Sequence, residues 1–586
     1  MKLRDDIYVG ESSRPVIRGT RHIVVAGHYL AAHAGFSVLE AGGNAVDAGV
    51  AAALVEAVVQ PDQVNFAGIA PAMLYVASTG EVLTIPGVGC WPRAADCELF
   101  VREHGGAVPE GLLRTVVPAA PAALLFALKH YGTMKFADVA AAAVRLARQG
   151  FPLHPFTSAK IRAYADEYRR WESNAAVFLP RGRVPEPGEV FRQEDLAGTI
   201  QYLIDEENAA TPDGRRAGID AAYDAFYRGD VARTISDFHK DKNGLLSFED
   251  MANFALAPEP ATRSVFEFGE VCTCGFWGQG PMILQALRLL DGFDLPAFGF
   301  GSSRYVHTVT EALKLAFADR ESYYGDPKFI AVPIDELISD SYARRRRAMI
   351  RQEIACPEMP RPGDLRTGPG IPEAQRKAGG AAAGSAQSAG LNDTSYVCVV
   401  DSAGNIFSVS PSDTAHDTEM IPGTGLCPSS RGSQSRAVPG HAASIEPGKR
   451  PRATPNPLMV LRDGQPYLAL GTPGGDVQPQ ANLQTLLNVV AFGMDIQLAV
   501  EAPRFFSASF PSSFAPNDYL PGVLKIEAGF DAALASDLEG LGHRVEWLSA
   551  QNWTAGGVCM VRVGDPVPGV VSAAADPRRA AYALGW

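Results

Sequence analysis

The sequence predicts an α+β protein, because helical and hairpin signals occupy separate stretches of the chain. Residues 115–320 carry Ala-rich faces with Pro or Gly punctuation, as helices do. The segments around 73–85 and 394–410 read instead as pairs of short strands joined by turns. Taken in order, residues 28–59 read as helix, broken at Gly42-Gly43-Asn44 before an Ala/Val-rich run. Residues 73–76 and 82–85 follow as strands joined by Ser78-Thr79-Gly80. Within the helical stretch, 305–320 (YVHTVTEALKLAFADR) spaces its apolar residues with a helical period. No internal repeat is visible. Composition shifts at 361–393, where a Pro/Gly/Arg run passes into an Ala/Gly/Ser segment of flexible-linker character. Residues 394–400 are then a strand by β-branched and aromatic content, Asp401 to Asn405 supply a turn, and 406–410 form a second strand. A tether thus delivers its end onto a hairpin whose first residue is Thr394, preceded by Asp393.

Composition excludes several function classes. The chain has 586 residues, a net charge of −13 and 20% charged residues, with mean hydropathy near zero. This is the profile of a globular protein large enough for an extensive core, with three or four domains as the length-based expectation. The acidic balance offers no basic stripe for nucleic acid. The most apolar run, 45–59, is interrupted by Asp47 and Glu56, and no apolar stretch reaches membrane length. The first ten residues hold no signal-peptide core, so the expected location is the cytoplasm, or export by a route the sequence does not display. Eight cysteines in so long a chain do not make a disulfide framework.

Common catalytic motifs are missing. There is no H-E-x-x-H, G-x-S-x-G, P-loop or G-x-G-x-x-G pattern. Cys272-Thr273-Cys274 lacks a second cysteine pair and reads as ordinary thiols. Residues 239–250 hint at a calcium loop, but His239 stands first, Ser247 ninth, and Asp250 where a bidentate Glu is wanted, so a polar turn before a helix is expected. No metal or cofactor is expected.

Three segments after 394 are more specific: Asp393-Thr394-Ser395-Tyr396 with its hairpin, Pro447-Gly448-Lys449-Arg450-Pro451, and Gly471-Thr472-Pro473-Gly474-Gly475-Asp476. Upstream stand Gly42-Gly43-Asn44-Ala45-Val46-Asp47-Ala48, Phe226-Tyr227-Arg228-Gly229, the run Gly244 to Asp250, and the run Glu311 to Arg320 followed by Gly325-Asp326-Pro327. In this order they resemble the γ-glutamyltranspeptidase family over most of the chain. The resemblance implies a four-layer αββα sandwich of the N-terminal-nucleophile hydrolase type, made as one precursor that cuts itself before a threonine. The cut would fall between Asp393 and Thr394, giving a large subunit, 1–393, that ends in the linker at 361–393, and a small subunit, 394–586. The residues agree with this chemistry. A hydroxyl needs an adjacent base, and a freed α-amine with a pKa of about 7.7–8.0 can serve near neutrality. Gly474 and Gly475 suit an oxyanion hole, since glycine lets backbone N–H groups approach a developing charge. By the same resemblance Ser412 corresponds to the hydroxyl that supports the nucleophile, and Thr414 to its asparagine partner.

The substrate clamp departs from the family pattern. Where glutamyl-transferring members carry an arginine in R-E-T-A-P, this chain has Val88, with Arg93 shifted nearby. Where they carry an acid in M-D-D-F-S to receive the α-ammonium, this chain reads Ser430 to Ser435 and includes Arg431. The serine pair after G-K-R-P is Ala453-Thr454. The run from Asp476 to Gln480 resembles the branch holding cephalosporin acylases and oxamate amidohydrolases. The expectation is therefore an amidohydrolase acting on a small amide through a Thr394 acyl-enzyme, with a non-glutamyl acyl group, Thr394, Gly474, Gly475 and Ser412 as catalytic residues, and Thr414, Arg431, Thr454 and Asp476 at the substrate. The alternative is a true γ-glutamyltransferase or glutathione hydrolase with different clamp residues. The expected partners are the precursor's own two subunits, open to pairing as a dimer of heterodimers, with no nucleic acid and no membrane.

Overall fold

The structure is a computed structural model that describes residues 12–365 and 394–586; Asp393 and most of the linker expected at 361–393 lie outside the described residues. Two seven-stranded antiparallel sheets form its centre. One runs in the order Tyr582–Gly585, Ile23–Ala26, Val397–Val400, Ile406–Val409, Ala72–Val76, Glu81–Ile85, Glu259–Pro260. The other runs Ile17–Gly19, Val571–Ala575, Cys559–Val563, Gln465–Gly471, Leu458–Arg462, Gly269–Thr273, Thr262–Phe266.

Strand alternation creates the layers, since successive side chains point to opposite faces. In the first sheet Cys398, Val400 and Ile406 meet Met459, Leu461, Ala469 and Val561 of the second, making an apolar seam between sheets. Val397, Val399, Phe407 and Val409 face outward onto helices that include Ala45–Val59 and Ala120–Tyr131. On the far side, Leu458, Val460, Leu468, Leu470 and Met560 pack against Gly280–Leu290, Ser303–Tyr323 and Gln478–Val490. The result is the expected αββα sandwich.

Local chemistry explains the elements that flank the site. The Gly42-Gly43-Asn44 break separates helices Tyr29–Glu40 and Ala45–Val59. Asn44 caps the second through a reciprocal box with Asp47. The Asp47 carboxylate also accepts from the Thr133 hydroxyl at 2.6 Å and the Met134 N–H at 3.0 Å, which accounts for an acid in an apolar helix. Helix Ser303–Tyr323 is buried over most of its length, and its Asp319 and Arg320 enter ion pairs rather than water.

The stretch 115–320 is mainly helical, as expected, but Glu259–Pro260, Thr262–Phe266 and Gly269–Thr273 interrupt it and contribute strands to both sheets. They are short, and their register comes from neighbours distant in sequence, so pattern alone hides them. The turn expected at 239–250 is present, with the Asp250 carboxylate occupied as the cap of Ser247 at 3.0 Å. Cys272 and Cys274 lie in the seam between the sheets, where burial raises both thiols and holds Cys272 at about 12. No helix among the described residues is long and apolar enough to cross a membrane.

Candidate active site

Thr394 opens the strand segment that becomes Val397–Val400, and a bridge to Ser412 extends the hairpin to its end. Thr394 and Ser412 are both buried, and their hydroxyl oxygens lie 2.8 Å apart. Arg431 Nη2 donates to the Ser412 hydroxyl, and Gln478 Nε2 donates to Thr394 Oγ1 at 3.2 Å. With Arg431 supplying a donor to Ser412, the Ser412 proton can turn toward Thr394. Thr394 Oγ1 then receives hydrogen bonds from Ser412 and Gln478, which stabilise negative charge developing on it while its own proton leaves.

The loop before Gln478 carries Gly474 at φ 123° and Gly475 at φ 55°, conformations that a side chain resists. Neither glycine N–H donates to another described residue. The chain passes through one short turn into helix Gln478–Val490, so the residue contacting Thr394 stands just beyond the glycine loop, at the start of that helix. Asp476 anchors this loop from below. Its Oδ1 accepts from Arg320 at 2.5 Å, Gln279 at 3.1 Å and the Ser513 hydroxyl at 2.6 Å, and its Oδ2 accepts the Ser513 N–H at 2.7 Å. Both Asp476 oxygens are engaged in this anchor, a structural position for a residue expected at the substrate.

The remaining expected residues divide. Arg431 comes into the site, buried against Ser412, with Asp413 Oδ2 3.5 Å from its Nε. Thr414 is buried and donates to Asp417 at 3.3 Å, and Asp417 pairs with buried Arg114 at 3.1 Å. Thr454 accepts from Gln434 at 2.9 Å. Val88 is in the seam between the sheets, and Arg93 pairs with Glu249 at an exposed surface. Arg450 is no solvated charge: it forks onto Asp326 at 2.8 and 3.0 Å inside the protein.

Sequence reasoning missed Gln478, Asp413, Asp417 and Arg114. Asp413 alters the charge balance most, since it places a carboxyl beside Arg431. Its backbone is held at φ 135°, rare for a residue with a side chain, and such strain concentrates at functional sites. Burial pushes its carboxyl up, against the pull of Arg431 and the hydroxyls of Ser429 and Ser430, which it accepts at 2.6 and 2.9 Å. Nearby, His416 stacks on Tyr164 at 3.9 Å, and burial lowers it to about 4, so it is neutral at physiological pH.

One group with metal-ligand character occurs among the described residues, His307, Glu311 and His543. His307 and His543 already hydrogen-bond each other at 2.9 Å, and the Lys314 ammonium holds Glu311 at 2.7 Å, where a cation would have to bind.

Comparison with known proteins bears on this geometry. A family model described as Gamma-glutamyltranspeptidase matches residues 31–586. The Acylase ACY 1 proenzyme of Pseudomonas sp. (strain SE83) is 32% identical over 543 residues, covering 90% of this chain and 88% of that one. The Glutathione hydrolase proenzyme of Bacillus subtilis (strain 168) is 28% identical over 540 residues, covering 90% and 85%. The crystal structure of cephalosporin acylase from Bacillus halodurans superposes with a TM-score of 0.84 at 26% identity, covering 100% of this chain and 99% of that one.

Proposed function

The chain belongs to the gamma-glutamyltranspeptidase family, and we propose that it is a self-processing amidohydrolase with Thr394 as nucleophile and a non-glutamyl acyl group as its substrate. The observation that carries this reading is the row Gln478, Thr394, Ser412, Arg431, which supports one hydroxyl oxygen from two sides. Cleavage between Asp393 and Thr394 frees the α-amine. Thr394 Oγ1 then attacks the amide carbonyl, the amine takes its proton, and the Gly474 and Gly475 N–H groups receive the oxyanion. Collapse breaks the C–N bond as the amine returns the proton to the leaving nitrogen, and water resolves the ester by the same route. The subunits 1–393 and 394–586 stay together after the cut, because strands from both sides of the junction interleave in both sheets.

The acyl group follows from the charges. The segment that would supply a carboxylate-gripping arginine buries Val88 and leaves Arg93 at the surface. Arg431 takes over as the cation near the nucleophile, and a guanidinium fork can serve Ser412 and a substrate oxygen together. Asp413, the carboxyl beside Arg431, is engaged by Ser429, Ser430 and Arg431. An acyl group ending in a carboxylate without an α-ammonium fits best, in keeping with the similarity to acylase proenzymes. The test compares kcat/KM for glutaryl and γ-glutamyl anilides. The expected result is a preference of about tenfold or more for glutaryl; a clear preference for γ-glutamyl would establish the glutathione-hydrolase reading instead.

A further inference from the structure

Glu56 interrupts a helix in which every residue is buried, and among the described residues no cation faces it. Its Oε1 accepts the Gly27 N–H at 2.8 Å. Its Oε2, together with Gln60 Oε1 and Ser395 Oγ, is buried without an aligned hydrogen-bond partner. Ser395 Oγ, Gln60 Oε1 and the other Glu56 oxygen, Oε1, converge on one point. A Cβ built on Gly27 would lie 2.0 Å from Ser395 Oγ, 3.1 Å from Glu56 Oε1 and 3.2 Å from Gln60 Oε1, so only glycine leaves room for the cluster. Gln60 Nε2 donates to the Gly27 carbonyl at 3.1 Å.

Counting protons decides the state of the cluster. With Glu56 ionised, Ser395 is the side-chain donor that faces it, and a buried charge stands without a cation. With Glu56 neutral, its O–H and that of Ser395 together satisfy the orphaned oxygens. Ser395 adjoins the nucleophile but points to the opposite face of the strand, so Glu56 touches no reacting atom. We propose that Glu56 is a positioning residue whose neutral carboxyl ties Ser395, and with it the strand end bearing Thr394, to the helix layer. This rests on the reading of Thr394 as nucleophile.

Burial pushes the Glu56 carboxyl up to about 8, opposed by the Gly27 N–H and the neighbouring Ser395 hydroxyl. The titratable group facing it from the sheets is Cys559, whose thiol burial keeps neutral. Its own helix offers neutral Gln60. Above about pH 8, therefore, the donor is lost and the nucleophile's tether loosens.

The experiment measures kcat and KM from about pH 6 to about pH 10 for the wild type, Glu56→Gln and Glu56→Ala, with Thr394→Ala as control. The wild type should lose kcat above about pH 8. Glu56→Gln, whose amide also donates, should restore activity to within about threefold at neutral pH and move that limb up by about one unit or more. Glu56→Ala should lower kcat about tenfold with KM held. An unchanged alkaline limb in Glu56→Gln overturns the proposal. If Thr394→Ala still turned over substrate, the nucleophile reading would fall instead. A readout independent of turnover is thermal stability. A carboxyl raised from 4.5 to about 8 favours the fold below its unfolded value and loses that contribution as pH rises through about 8. Wild-type stability should therefore fall relative to Glu56→Gln between those values, and parallel curves would contradict a neutral Glu56.

Discussion

Replacing Asp476 separates a structural anchor from a substrate contact. In Asp476→Ala, Arg320, itself fully buried, loses its closest carboxylate, while the Ser513 N–H and Gln279 amide lose their acceptor. Breaking a buried ion pair by removing one partner costs about 3–5 kcal/mol. Glu321 stays 3.5 Å from Arg320 and softens the loss, so the low end, about 3 kcal/mol, is expected. Losing one oxyanion donor outright costs about 100- to 1000-fold in rate. A loosened Gly474-Gly475 loop should lose part of that, about 10- to 100-fold in kcat, with KM changed by no more than about twofold. Asp476→Asn keeps one oxygen but turns a nitrogen toward a donor, and should fall between. The assay pairs denaturant unfolding with steady-state kinetics on one preparation. A KM raised more than about tenfold, with kcat and stability intact, would mean that Asp476 faces the substrate and would refute the anchor.

Gln478→Ala removes one of the hydrogen bonds on Thr394 Oγ1 and should lower kcat about tenfold while KM stays near wild type, read by steady-state kinetics. Arg431→Ala deprives Ser412 of its donor and Asp413 of its cation. Activity should fall about tenfold or more on amides without a carboxylate, and further on glutaryl amides, so the difference between the two measures the carboxylate contact.

What the sequence made legible was what local pattern controls. The hairpin from Thr394 through Ser412 follows from β-branched residues around an Asp401 to Asn405 turn, and the structure pairs those two residues directly. The break at Asn44 is equally local, because a capping box lies within a few residues. The losses are tertiary. Strands 259–273 are stabilised by partners distant in sequence. Asp413 reaches Arg431 only through the fold, although an acid between two hydroxyl residues beside Ser412 was a usable signal. Asp476, opening the run to Gln480, was expected at the substrate, yet Arg320, 156 positions earlier, pairs with it. Glu56 was visible as one of two acids in an apolar run, but its neighbours Gly27 and Ser395 flank two paired strands of one sheet.

Catalysis by the Thr394 amine requires Thr394 to become a chain end. Intact-mass analysis with N-terminal sequencing, on wild type and Thr394→Ala purified side by side, tests this most directly. The wild type should resolve into two fragments with the smaller beginning at Thr394, while Thr394→Ala should remain one chain without amidase activity. A wild-type protein that hydrolyses amides while staying a single chain through long incubation near neutral pH would contradict the mechanism.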